Sequence, residues 1–155
     1  MSELKKIEPI TILMADDDLD DQLMAKEAFE ENRMANSLKF VNDGEELLDY
    51  LNKRGKYNES NAPRPGLVLL DLNMPKMDGR TALTEIKKNP NLRRIPIVIL
   101  TTSKSEEDVI KSYDLGVSSF ITKPVSFNDL VAVTKEIGRF WFGIVVLPKD
   151  DNTIE

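Results

Sequence analysis

The chain of 155 residues contains no cysteine and no histidine. Without cysteine there is no disulfide, no thiol nucleophile and no thiolate metal ligand. Without histidine there is no imidazole base, no His–Asp triad and no imidazole ligand. The opening residues MSELKKIEPI lack the apolar core of a secretory signal. No apolar run approaches the ~20 residues of a membrane helix. Lys and Arg are scattered and the formal charge is −6, so the basic stripe of a nucleic-acid binder is missing as well. These absences read as a cytoplasmic protein that works neither on nucleic acid nor in a membrane. The acid excess by itself speaks only of solubility. There is no internal repeat and no low-complexity tract. The length suits one domain that buries its own core.

What is present alternates between short apolar runs and helical periods. PITILMA (9–15), SLKFVND (37–43), GLVLLD (66–71), IPIVILT (95–101) and VSSFITK (117–123) read as five strands. Between and after them, 19–33, 44–55, 78–90, 105–116 and 126–142 read as helices. Their ends carry ordinary signals. Asp precedes the first helix, Ser105 and Asp108 form a capping-box pattern, and Gly116 and Pro90 act as stops. Gly79 reads as a turn glycine, and YNESNAPRPG (57–66) as a loop. Continuous apolar strands imply a sheet covered on both faces, hence parallel. Right-handed crossovers then give a doubly wound α/β fold. In such sheets ligands bind at the carboxyl ends of the strands.

Those ends hold chemistry. The first strand runs into Asp16-Asp17-Asp18, the third into Asp71, the fourth into Thr101 and the fifth into Lys123-Pro124. The second ends in Asn42-Asp43, which reads as turn chemistry. A parallel fold therefore gathers carboxylates, a hydroxyl and an ammonium along one edge. Clustered carboxylates repel and raise one another's pKa. A hard divalent cation such as Mg²⁺ relieves that conflict with oxygen ligands and suits phosphate. Asp71 can then serve as a nucleophile in aspartyl-phosphate chemistry. Thr101 and Lys123 would neutralise charge on the transferred phosphoryl oxygens.

The stretches ILMADDD (12–18), LLDLNMPKMDG (69–79), ILTTS (99–103) and ITKP (121–124) together resemble the receiver domain of bacterial two-component response regulators. Each motif is weak alone; in order and at strand ends they are strong. The resemblance implies a flavodoxin-like, five-stranded sheet in the order 2-1-3-4-5. It implies Asp71 as phospho-acceptor, with Mg²⁺ or Mn²⁺ held by Asp16, Asp17, Asp71 and the backbone carbonyl of Asn73. It implies Thr101 as switch hydroxyl, Lys123 as the partner lysine, and Pro124 as a candidate for a cis peptide, whose penalty is small. The run of three Asp leaves the register ambiguous. Aligning the apolar run gives Asp16 and Asp17 as the acid pair and Asp18 as the variable position. The aromatic switch position carries Phe120, where Tyr is common in the family.

The long loop KRGKYNESNAPRPG (53–66), TTSKSEED (101–108), SSFITKPVSF (118–127) and the tail RFWFGIVVLPKDD (139–151) are similar to the small stand-alone regulators that partner bacterial phytochrome kinases. That likeness implies a histidine kinase of phytochrome type as phosphodonor, an unknown downstream protein, and a homodimer. The dimer would use the face of helix four, strand five and helix five. The expected organisation is an extension over 1–8, a receiver over 9–147 and a short tail over 148–155, with no separate output domain. The protein would catalyse its own phosphorylation and dephosphorylation without turning over a metabolite. The apolar residues Phe140, Trp141, Phe142, Ile144, Val145 and Val146 either pair with a second chain or complete the core.

Plainer readings stand beside these. Asp16–Asp18 fits a helix cap, Thr101 a strand end, and Lys123 a surface base. Met14, Met74 and Met77 fit packing. The competing chemistry is a Mg²⁺-dependent phosphatase of the haloacid-dehalogenase type. That chemistry wants a second Asp two residues after the nucleophile, where this chain has Asn73. A receiver-like module with a silent site is the third reading.

Overall fold

The computed structural model of the chain describes residues 10–32 and 37–139. In chain order it contains β1 (Thr11–Ala15), α1 (Leu19–Glu31), β2 (Ser37–Val41), α2 (Gly44–Asn52), β3 (Leu67–Leu70), α3 (Gly79–Lys88), β4 (Ile97–Thr101), α4 (Glu106–Asp114), β5 (Ser119–Thr122) and α5 (Phe127–Gly138). The strands form one parallel sheet in the order β2-β1-β3-β4-β5. The expected elements are all present. Most are shorter than the sequence pattern suggests, because their outermost residues serve as caps or loop. The expected extension of α5 to residue 142, with the apolar segment from Phe140 onward, lies outside the described residues.

The sheet is parallel because its central strands have no face to give to water. Every residue of β3 and β4 is buried. Alternate side chains then supply two cores. Ile12, Met14, Leu67, Leu69, Val98 and Leu100 pack on one side with Ala25 and Phe29 of α1 and Ile137 of α5. Leu13, Val68, Leu70, Ile97 and Ile99 pack on the other, against α2 and α3 through Leu47, Leu51, Leu83 and Ile86. Each buried Leu or Ile contributes roughly 2 kcal/mol. Met14 and Met74 are buried in these cores, and Met77 packs against one of them. The plain packing reading holds for all three.

Each helix opens on an oxygen-bearing cap that satisfies its first free N–H groups: Asp18, Asp43, Asp78, Ser105 and Ser126. The strand-to-helix loops share one edge, so capping alone places Asp18, Asp43 and Asp78 there. The acidic character of that edge thus has two sources, helix capping and the site itself.

Two expectations need correction. Gly79 is not a left-handed turn residue. It is the first residue of α3, and a Cβ there would run into the Asp71 carbonyl oxygen and Leu72 Cα. Its N–H donates to the Leu72 carbonyl at 2.9 Å. The missing side chain is what lets α3 start directly against the end of β3. Second, no peptide among the described residues is cis, the Lys123–Pro124 bond included. Trans is the ordinary state of an X–Pro bond, favoured by about 0.5–1 kcal/mol.

Candidate functional site

Parallel pairing brings the ends of β1, β3, β4 and β5 side by side. Asp16 and Asp71 follow β1 and β3 directly, Thr101 closes β4, and Lys123 follows β5. Backbone bonds carry the register past the strand ends. Asp71 N donates to Ala15 O at 3.0 Å, and Lys123 N to Thr101 O at 2.8 Å.

Asp71 is 5 % exposed and both its oxygens are occupied. Oδ1 accepts from the Thr101 hydroxyl at 2.7 Å and from the Asn73 backbone N–H at 3.1 Å. Oδ2 accepts from Lys123 Nζ at 2.9 Å. A buried carboxylate is tolerable only with such partners. The Thr101 hydroxyl, itself fully buried, points at Asp71. Phe120 is half-buried against the core cluster. Its backbone N–H donates to the Tyr113 hydroxyl of α4 at 3.1 Å.

The first strand's acids divide their work. Asp18 caps α1, accepting from the N–H groups of Asp20 and Asp21. Asp17 is exposed at the mouth. Asp16 is buried, and its Oδ1 accepts from Asp18 N at 2.9 Å. Its Oδ2 lies 2.8 Å from Lys123 Nζ, yet this buried oxygen receives no aligned hydrogen bond. Burial pushes the Asp16 carboxyl up to about 6 against the opposing pull of Lys123. Desolvation is the leading cause, and repulsion from a neighbouring carboxylate contributes least. Burial alone would lower the Lys123 pKa, but the close Asp16 carboxylate and the hydrogen bonds to Asp21 and Asp71 hold it above the ordinary lysine value.

Ligand atoms of Asp16, Asp17 and Asp71 lie within 4.8 Å of one another. An all-oxygen donor set of this kind, one member carrying an unsatisfied buried oxygen, fits a hard divalent cation. Asn73 follows Asp71 closely enough for its N–H to bond that carboxylate.

Three participants are not evident from the sequence. Asp21 Oδ2 is 2.6 Å from Lys123 Nζ. Gln22 Nε2 donates to the Asp16 carbonyl at 2.7 Å and to Asn42 Oδ1 at 2.8 Å, which fixes the backbone beneath Asp16. Arg80 joins Asp108 across α3 and α4. Helical spacing places Asp21 and Gln22 one turn into α1, but only the fold shows what they face.

Residues 12–135 match the family described as the response regulator receiver domain. The chain belongs to that family. It is 43% identical over 140 residues to the response regulator Rcp1 of Synechocystis sp., covering 90% of this chain and 94% of that one. The crystal structure of the phosphorylated cyanobacterial phytochrome response regulator RcpA superposes with a TM-score of 0.85 at 41% identity, covering 92% of this chain and all of that one. The Mn²⁺-bound form of Rcp1 gives a TM-score of 0.83 at 42% identity, covering 91% of this chain and all of that one. Receiver domains bind Mg²⁺ or Mn²⁺ at their acidic site, and phosphorylation-dependent switching is their general behaviour. This receiver is therefore a signalling module related to phytochrome response regulators rather than an enzyme acting on a metabolite. Response regulators of phytochrome systems interact with histidine kinases. Among the described residues no helix is long and apolar enough to cross a membrane.

Proposed function

We propose that this receiver takes a phosphoryl group from a phytochrome-type histidine kinase onto Asp71 and uses it to switch the surface formed by α4, β5 and α5. The carrying observation is the setting of Asp71. One oxygen is held by Thr101 and the Asn73 N–H and the other by Lys123, beside the acid pair Asp16 and Asp17.

In the transfer, a carboxylate oxygen of Asp71 attacks phosphorus. The bond from phosphorus to the kinase imidazole nitrogen breaks, and that nitrogen keeps the electron pair. Asp16, Asp17, Asp71 and the Asn73 carbonyl would hold Mg²⁺ or Mn²⁺, which supplies charge neutralisation for the phosphoryl oxygens. Lys123 moves one N–H from the carboxylate to a phosphoryl oxygen. Thr101 does the same with its hydroxyl. The new group adds negative charge and strong acceptors at a buried point. Because the Thr101 hydroxyl already faces Asp71, the change at this residue is an exchange of acceptor with a small inward shift. Phe120 follows into the space released, biasing α4 and β5.

Output passes to a downstream protein or a second copy of the chain. The α4–β5–α5 face is our candidate for the homodimer, with the protein working in the cytoplasm. Asn73 stands where a haloacid-dehalogenase phosphatase needs its acid–base Asp, which favours a stable acyl phosphate over turnover.

Radiolabelled phosphoryl transfer tests this reading. A phytochrome-type kinase carrying phosphohistidine should label the wild type within minutes and leave Asp71→Asn unlabelled. Equal labelling of both proteins would remove Asp71 as acceptor. Labelling only by unrelated kinases would remove the phytochrome partner.

A further inference from the structure

Lys123 Nζ meets three carboxylates: Asp21 Oδ2 at 2.6 Å, Asp16 Oδ2 at 2.8 Å and Asp71 Oδ2 at 2.9 Å. An ammonium has three N–H groups; hydrogen bonds to Asp21 and Asp71 use two of them, and Asp16 Oδ2 lies at ion-pair distance without an aligned bond. The shortest contact is with the residue furthest from the phosphorylation motifs. Asp21 lies in the first turn of α1, and its N–H faces the Asp18 side chain at 3.4 Å.

The three partners differ in what else they must do. Asp16 and Asp71 belong to the oxygen cluster that fits a divalent cation, and Asp21 does not. Once Asp71 carries the phosphoryl group as an acyl phosphate and the cation is in place, both of those carboxylates have other business. Asp21 alone can keep its grip through the cycle. It also sets where the ammonium rests. Without Asp21, the ammonium is left with Asp16 and Asp71, the two partners that the cation and the phosphoryl group also claim. A lysine side chain has large rotamer freedom, so one fixed anion at its head decides its position.

We propose that Asp21 is a positioning residue for phosphoryl transfer: it anchors the Lys123 ammonium from α1 and holds it beside Asp71 Oδ2, where it can pass an N–H from that carboxylate to a phosphoryl oxygen. This rests on the receiver chemistry proposed above. The plainer alternative is that Asp21 only complements the positive end of the α1 dipole. Asp20 provides the comparison, since it is an exposed acid in the same turn with the same relation to the dipole.

The test is phosphoryl uptake from acetyl phosphate with Mg²⁺, followed by intact mass for the wild type, Asp21→Asn, Asp20→Asn, Lys123→Ala and the Asp21→Asn/Lys123→Ala pair. Asp21→Asn should slow uptake at saturating donor about tenfold. Asp20→Asn should stay within about twofold of wild type, with a similar change in melting temperature. In the Lys123→Ala background, Asp21→Asn should have no further effect, since there is no ammonium left to position. Equal rates for Asp21→Asn and Asp20→Asn would overturn the proposal while leaving receiver chemistry intact. So would an undiminished effect of Asp21→Asn without Lys123. Absence of any adduct on the wild type would overturn the receiver chemistry and this proposal together.

Discussion

Arg80 in the first turn of α3 grips Asp108 in the first turn of α4 through two parallel contacts, Nε to Oδ1 at 2.8 Å and Nη2 to Oδ2 at 2.7 Å. The Ser103 hydroxyl adds a third hydrogen bond to the same carboxylate at 2.6 Å. The grip ties α4 and the loop after β4 to α3. Arg80 is 41 % exposed at its side chain while Asp108 is 13 % exposed, so solvent screens part of the attraction. Arg80→Ala or Asp108→Ala should each destabilise by about 1–2 kcal/mol. The double variant should lose less than the sum. Thermal unfolding of the four proteins measures this, and strict additivity would mean that the pair does not act as one.

The same pair predicts a pH dependence. Hydrogen bonds from Arg80 and then Ser103 hold the Asp108 carboxyl at about 2, below its ordinary 3.8. Its folded value is depressed, so its stabilising contribution is complete above 3.8 and is lost as pH falls toward about 2. The stability gap between wild type and Asp108→Asn should be constant from pH 7 to 5 and narrow below pH 4. Denaturant unfolding across that range reads it directly. A gap unchanged at the lowest pH would contradict the contact.

Divalent cation should stabilise the fold, because it binds a site that the unfolded chain lacks. At about 100-fold excess over its dissociation constant, Mg²⁺ adds about 2.7 kcal/mol, a rise of about 5–10 °C in melting temperature. Asp17→Asn should abolish most of that rise with little effect on the metal-free protein, since Asp17 is exposed. An unchanged Mg²⁺ response in that variant would remove Asp17 from the ligand set.

Lys123 compensates two buried carboxylates, Asp16 and Asp71, besides Asp21. Lys123→Ala leaves them facing one another, a loss of about 2–4 kcal/mol in metal-free buffer. Mg²⁺ should return part of it. Some phosphorylation of Asp71 should persist, with the response of the α4–β5–α5 surface uncoupled from it. Paired melting curves and hydrogen exchange on α4, before and after phosphorylation, read the two effects separately.

Gly79→Ala should be among the most damaging single-methyl changes. The new Cβ meets backbone of Asp71 and Leu72 rather than a flexible side chain, so either β3 or α3 must shift. The expected loss is about 3 kcal/mol or more. A variant that folds with wild-type stability would contradict the close approach.

Strands β3 and β4 were legible in the sequence because full burial leaves an unbroken apolar run. The edge acids were legible because a buried apolar run that stops on charge calls for a reason, although for Asp18 that reason is the cap of α1. Asp43 and Ser105 were readable as turn or cap residues because capping is a local rule. What stayed hidden was of two kinds. Asp21 with Lys123, and Arg80 with Asp108, are partners far apart in the chain whose meeting depends on how helices lie on the sheet. Gly79 looked like a turn glycine because a sequence does not distinguish a needed φ from a needed absence of Cβ. The C-terminal boundary of α2 was missed for a related reason. Lys53 takes the left-handed cap, φ 55°, two residues before Gly55, where the helical pattern 44–55 ends.

The central claim is that Asp71 accepts a phosphoryl group with help from a divalent cation. Intact mass after incubation with acetyl phosphate, with and without Mg²⁺, tests it most directly on wild type and Asp71→Asn. The account predicts one phosphoryl adduct on wild type that needs Mg²⁺ and is absent from Asp71→Asn. An adduct that persists in Asp71→Asn, or forms equally well in chelator, would contradict it.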